Sequence, residues 1–141
     1  MSDKYVDGIN EDNFDAFLEA LRSGEYTQGR MTLENRQGEF CCLGVACHLA
    51  WQDGQIDREM RSWGQAAYGG FNSVLPEAVA VWLGLPESNL VDGTSAFDVA
   101  FFKQGFNGHN NETAVGWNDS LNKSFAEIAD AFELEFTKES V

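Results

Sequence analysis

The sequence predicts a small α+β domain, about four helices packed around a short antiparallel hairpin or sheet. Three observations lead there. Apolar residues recur at i, i+3, i+4 and i+7 in two separate stretches, Phe14/Phe17/Leu18/Leu21 and Phe125/Ile128/Ala129/Phe132. Between them a nearly uncharged run, Phe40 to Trp51, holds all three cysteines and one of the two histidines. Glycine-rich polar segments separate these runs and carry the turn residues of short strands. With 141 residues, 43% of them hydrophobic, and 11 Phe and 4 Trp, the chain has the material for one domain with a substantial core.

Taken in order, residues 1–12 are polar and acidic and read as a flexible arm, 13–136 as the domain and 137–141 as a tail. Asn13 is the expected cap of the first helix, Arg22 suits its C-terminal end and Gly24 its stop. Arg30 to Leu33 is expected to pair with Glu39 and Phe40 around Asn35–Gly38, with Gly38 at positive φ. Cys42 to Gln52 reads as a buried helix following a strand. Gly44 inside it costs about 1 kcal/mol against Ala, which points to another backbone passing close by. Residues 53–73 read as a long loop with one turn of helix. Pro76 to Leu83, stopped by Gly84, spells a short helix. In 88–111, Phe97, Val99 and Phe101 alternate as in a strand, followed by turns at Gly105 and Gly108. Glu112 to Trp117 forms a helical turn, and Ser124 with Glu127 makes a capping box for the last helix.

The charge excludes more than it assigns. Against 23 acidic residues stand 9 basic ones, a net −14. No basic cluster is dense enough to neutralise several phosphates, so direct binding to nucleic acid or an anionic membrane is disfavoured, and attraction to a basic partner is favoured. No uncharged run has the length of a membrane span and the first twenty residues carry six acids, so a soluble cytoplasmic protein is expected. Adjacent Cys41 and Cys42 make a poor disulfide framework, and reduced thiols in a core fit better.

Several groups carry potential chemistry. Cys41 and Cys42 stand where a strand turns into a helix, a position that activates thiols, with His109 as a base and Asn118 or Asp119 to orient it. Against this, Glu39 lies close in sequence and the surroundings are apolar, where free cysteine serves as a small hydrophobe. Cys42, Cys47 and His48 lack zinc spacing, since five residues rotate a helix by about 500°. No metal and no cofactor is expected. Ser124 to Asp130 resembles the first helix of a helix-turn-helix, but Glu133 to Val141 are acidic and too few for a recognition helix. The aromatics Trp63, Tyr68, Phe71 and Trp117 lie outside the helical stripes, and Asp92, Asp98 and Asp119 lie in polar turns. These seven are the candidate partner-binding residues.

The blocks LRSGEYTQGRMTL (21–33), FCCLGVACHLA (40–50), LPEAVAVWLGL (75–85) and NDSLNKSFAEIAD (118–130) resemble, in this order, a group of small uncharacterised proteins of tailed-bacteriophage and prophage genomes. The chain departs from them in Ser88–Asn111 and at Gly116-Trp117. The resemblance implies a viral accessory protein made in the bacterial host cytoplasm and carries over no catalytic residue. The expected function is non-enzymatic: an acidic binder that inhibits a basic, nucleic-acid-binding host or defence protein. Two alternatives stand beside it. One is a cysteine-dependent hydrolase or transferase using Cys41 or Cys42 with His109; the other is a pocket that sequesters a small nucleotide, built from the aromatics with Arg30, Arg36 or Arg61.

Overall fold

The apolar run becomes helix α2 (Cys42–Gln52), and the other elements are arranged around it. The computed structural model describes residues 4–61, 64–91, 96–101, 113–121 and 123–138. In chain order these hold α1 (Glu11–Ser23), α2, strands β1 (Arg58–Met60), β2 (Ala66–Tyr68) and β3 (Leu75–Pro76), α3 (Glu77–Leu83), and a single 3-10 turn (Glu87–Asn89). Strands β4 (Leu90–Val91) and β5 (Ala96–Val99), α4 (Ala114–Asp119) and α5 (Phe125–Phe136) complete the order. The expected α+β class holds. Helix α2 packs against α1, α3, α4, β2 and β3. Its buried residues, Cys42 to Cys47 and Ala50, point in nearly every direction, because a helix enclosed on most sides needs no polar stripe.

Gly44 has the close neighbour its position implies. A Cβ there would lie 1.8 Å from the Leu33 carbonyl oxygen, so the segment ending in Leu33 crosses directly over α2. That segment does not form the expected hairpin. Gly38 takes φ 78° in the Asn35–Gly38 turn, but Phe40 bridges Gln28 and Glu34 singly, with no ladder from 30–33 to 39–40. The Asn35 side chain closes the turn instead, its Oδ1 accepting from the amides of Gln37 and Glu39.

Helices α1 and α5 run antiparallel and meet through aromatic rings. Phe17 and Phe132 have centroids 4.9 Å apart, Phe14 and Phe136 5.8 Å, and Phe101 meets Phe132 at 5.0 Å, all near edge-to-face. Both apolar stripes are buried as expected, and the capping box of Ser124 and Glu127 is formed. The cap of α1 is Asn10, three residues earlier than expected. Asn13 is drawn inward by another bond, its Nδ2 donating to the Trp82 carbonyl at 2.8 Å.

Three further expectations are corrected. The arm over 1–12 is pinned from Tyr5 onward: Tyr5 is buried against Phe14 and bridges Thr137, Val6 N donates to Phe136 O, and Asn10 N donates to Leu83 O. For the same reason the tail is anchored through Thr137 and Lys138. The 53–73 segment holds the β1–β2 hairpin rather than a helical turn, with Arg58 opposite Tyr68 and Met60 opposite Ala66. The strand at Phe97 and Val99 exists, and β5 sits centrally in a three-stranded antiparallel sheet ordered β3–β5–β4. Gly105 and Gly108 lie outside the described residues. No helix among those described is long and apolar enough to cross a membrane.

Candidate functional site

The thiols occupy the most chemically suggestive position in the chain. Cys41 is the N-cap of α2, and its Sγ accepts the Gly44 N–H at 3.4 Å. Cys42 begins the helix, and its thiol donates to the Ala114 carbonyl at 3.5 Å. Both are buried, as is Cys47. A helix N-terminus favours a thiolate, but burial works against it. Burial pushes the Cys41 thiol up to about 12, and those of Cys42 and Cys47 well above the ordinary range. The carboxylates of Asp98 and Asp119 add to the shift at Cys41 and Cys42. These sulfurs are interior packing groups, so the hydrolase reading loses its nucleophile. Its proposed base, His109, lies outside the described residues, as do Trp63 and Asp92.

Asn118 is equally internal. Its Oδ1 accepts from Cys42 N at 3.2 Å and Gln28 Nε2 at 2.9 Å. Its Nδ2 donates to Gly29 O and Asp119 Oδ1, each at 2.8 Å. This fully buried amide has every capacity used and ties α4 to the start of α2 and to the 28–29 turn. Its role is structural.

The expected partner residues are engaged one by one. Tyr68 is fully buried, which corrects its reading as an exposed anchor. Its hydroxyl donates to Glu34 Oε1 at 2.5 Å, and Arg58 reaches the same carboxylate through Nη2 at 2.7 Å. Burial pushes the Glu34 carboxyl up, but the bonds from Arg58 and Tyr68 outweigh it and hold it below the ordinary value. Phe71 bridges Tyr68, and Trp117 packs edge-on to Phe101 beneath Lys123. Asp98 Oδ1 accepts the amides of Val99 and Val115, and Asp119 Oδ1 accepts Met31 N. The five that are described brace turns, helix starts and core edges, each through its own contacts.

Sequence reasoning missed a second inward pair. His48 lies among Phe40, Tyr26 and Trp51, with Nδ1 2.8 Å from the Tyr26 hydroxyl. Burial holds its imidazole below the ordinary pKa, and the charge of Arg58 adds to this.

Two surface features remain. Along the α1–α5 seam, carboxylates from both helices converge: Asp15 bonds the Tyr5 hydroxyl, and Glu133 and Glu11 act on the same hydroxyl through space. Burial and these charges push the Tyr5 phenol up. Arg22 bridges Asp130 at 2.7 Å and Glu133 at 2.8 Å, and Lys4 lies 3.7 Å from Glu133. Asp12 is a further acid in the first turn of α1 and Glu127 in that of α5, whereas Glu19 lines a separate depression with Leu49 and Gln52 of α2. Toward the end of α5 a shallow depression of about 400 Å³ is lined by Asp130, Glu133, Leu134 and Thr137, with Leu134 51% exposed. Acids at i, i+4 in the first helix (Glu11, Asp15) and at i, i+3 in the last (Asp130, Glu133) are the signal that could have found this ridge, had the two helices been known to pair.

The second feature is a cavity of about 410 Å³ lined by Arg30, Met31, Thr32, Asn35, Arg36, Gln37 and Gln65. Two of the arginines considered for a nucleotide pocket meet here, with no aromatic among the described lining residues. Met31 stands at φ 73°, a conformation that costs an L-residue roughly 1–2 kcal/mol.

The fold and surfaces thus define a small α+β domain with enclosed thiols and a carboxylate ridge on two paired helices. Residues 9–136 match a family described as a domain of unknown function, DUF8296, and the chain belongs to that family. No curated protein and no solved structure matches it.

Proposed function

We propose that this chain is a bacteriophage accessory protein, acting in the cytoplasm of its bacterial host, that binds and inhibits a basic, nucleic-acid-binding host or defence protein without catalysis. The observation that carries this reading is the convergence of Glu11, Asp15, Asp130 and Glu133 along the α1–α5 seam. Carboxylates fixed on packed helices present negative charge at set spacings, as a phosphate backbone does, and speed encounter with a basic surface. Exposed Leu134 supplies an apolar contact among them. The buried thiols support a non-catalytic role, and the resemblance to phage proteins supports the setting.

The test is a pull-down from bacterial lysate with the immobilised chain over a salt series. Nucleic-acid-binding proteins are expected at low salt and released as the Debye length shrinks from about 10 Å at 0.1 M toward about 3 Å at 1 M. Recovery of no basic protein at low salt contradicts the reading.

A further inference from the structure

We propose that the groove between α3 and strands β4 and β5 docks a partner segment carrying an apolar side chain between two basic ones. The starting point is Val81. Valine is a weaker helix former than Ala, Glu or Lys, because its branched side chain loses rotamer freedom. Packing, not propensity, is the reason to place it in a helix. Yet α3 buries Val79, Ala80 and Leu83, and Val81, outside that face, is 72% exposed.

A lone exposed valine is ordinary, but this one borders a groove of about 290 Å³. Ala80 and Leu85, both buried, form its floor. Leu90 of β4 and Phe97 of β5, each partly exposed, line it together with Val81. The volume falls just below the roughly 300–1,000 Å³ of small-molecule sites and suits one large side chain with its neighbours.

Charge decides what kind of segment fits. Glu77 and Glu87, both exposed, also line the groove, and neither forms an ion pair with another described residue. Glu77 directly follows β3 and Glu87 stands just ahead of β4. Those two strands flank β5, about 10 Å apart, so the acids approach the groove from two sides. An uncharged apolar occupant would strip water from both carboxylates and offer nothing in return. A basic residue on each side of the apolar one supplies the missing partners. The same acids oppose a second copy of this chain, which carries a net −14. The groove belongs to α3, the segment after it and β5, so the inference does not depend on the α1–α5 ridge.

The probe is the capped peptide Arg-Ser-Phe-Ser-Arg, whose alternate residues put Phe and both Arg on one side of an extended chain. It is titrated into the 15N-labelled full chain and amide shifts are followed, beside Asp-Ser-Phe-Ser-Asp and Arg-Ser-Ser-Ser-Arg. Saturable shifts are expected at residues 77–91 and 96–98, with Kd on the order of 1 mM or below, and each control should bind about tenfold or more weaker. Val81→Lys should weaken binding about tenfold or more; Val81 is exposed, Lys is a good helix former, and the spectrum reports the fold directly. Glu77→Gln/Glu87→Gln should bring the basic and acidic Phe peptides to within about threefold of each other.

No saturable shift at these amides by about 10 mM peptide, or unweakened binding by folded Val81→Lys, overturns the site. Equal binding of the acidic peptide overturns the charge assignment, and equal binding of Arg-Ser-Ser-Ser-Arg overturns the apolar one. Shifts of the same amides on raising protein concentration alone give the groove to a second copy and overturn the basic partner. Shifts confined to the α1–α5 seam overturn the groove while leaving the ridge proposal standing.

Discussion

The start of α2 and the outer face of the α1–α5 pair hold the chain's two reactive-looking groups, thiols and carboxylates, and treat them in opposite ways. At α2 the sulfurs lie at a helix N-terminus, where the backbone favours an anion, yet burial keeps them protonated. On the outer faces of α1 and α5 carboxylates such as Asp12, Glu19 and Asp130 stand in solvent, and among the described residues Arg22 and Lys4 offset only some of the acids there. Position at a helix start allowed chemistry for the first region, but its apolar surroundings favoured packing. Burial agrees with the packing reading, because desolvation outweighs a favourable helix end.

The interior side of the comparison is the more fragile. Gly44→Ala puts a methyl group 1.8 Å from the Leu33 carbonyl, and backbone on both sides leaves no flexible group to move. We expect a loss above about 4 kcal/mol, read as insoluble or unfolded protein by circular dichroism and urea melting. Asn118→Ala leaves Cys42 N and Gly29 O without their partners inside the core, and should cost about 3 kcal/mol in the same measurement. Glu34→Ala strands Arg58 and the Tyr68 hydroxyl, for a loss of about 2–4 kcal/mol.

The response to pH sharpens the contrast next. Glu34 and His48 both have folded pKa values below their ordinary ones. The unfolded chain therefore binds more protons as pH falls, and stability should drop below about pH 6.5, first through His48 and then, nearer pH 4.3, through Glu34. The thiols act in the other direction. Their folded pKa values are raised, so their contribution is complete below about pH 8.5 and fades as pH rises beyond it. Thermal melts across pH should give a plateau between these limits. A stability maximum well outside them would contradict the assigned burial of these groups.

A smaller effect is kinetic. In the native chain Cys41, Cys42 and Cys47 should react with a thiol reagent only at the rate at which the core opens, so labelling should accelerate with urea in step with unfolding. Fast stoichiometric labelling of any one of them in buffer would return a nucleophile to the surface.

Much of this was legible in the sequence, for definite reasons. Phe14, Phe17, Leu18 and Leu21, and the Ser124–Glu127 cap, speak through local periodicity and local bonds, and they fold as read. Gly44 was legible too, because a glycine inside so apolar a helix calls for a neighbour. The β1–β2 hairpin was hidden because its strands are three residues each and Arg58 and Glu59 give no alternation. Tyr68 read as exposed because the carboxylate that satisfies its hydroxyl, Glu34, lies 34 positions away. Asn10 displaced Asn13 as cap because Asn13 is claimed by Trp82, a contact that no local pattern encodes. The acidic ridge and the Arg30–Arg36 cavity likewise depend on which segments meet, and local patterns do not specify that.

On the outer side, neutralising exposed acids that brace no buried group should leave the fold nearly untouched. The variant Glu11→Gln/Asp12→Asn/Glu19→Gln/Asp130→Asn should keep its stability within about 1–2 kcal/mol, the loss coming from helix-end charge and the Arg22 bridge. The most direct test of the proposed role sets this variant beside the unmodified chain as baits in the same bacterial lysate at low salt, with bound proteins quantified by mass spectrometry. Recovery of basic nucleic-acid-binding proteins should fall by about tenfold or more with the variant. Equal recovery by the two baits would contradict the claim that the α1–α5 ridge is the working surface.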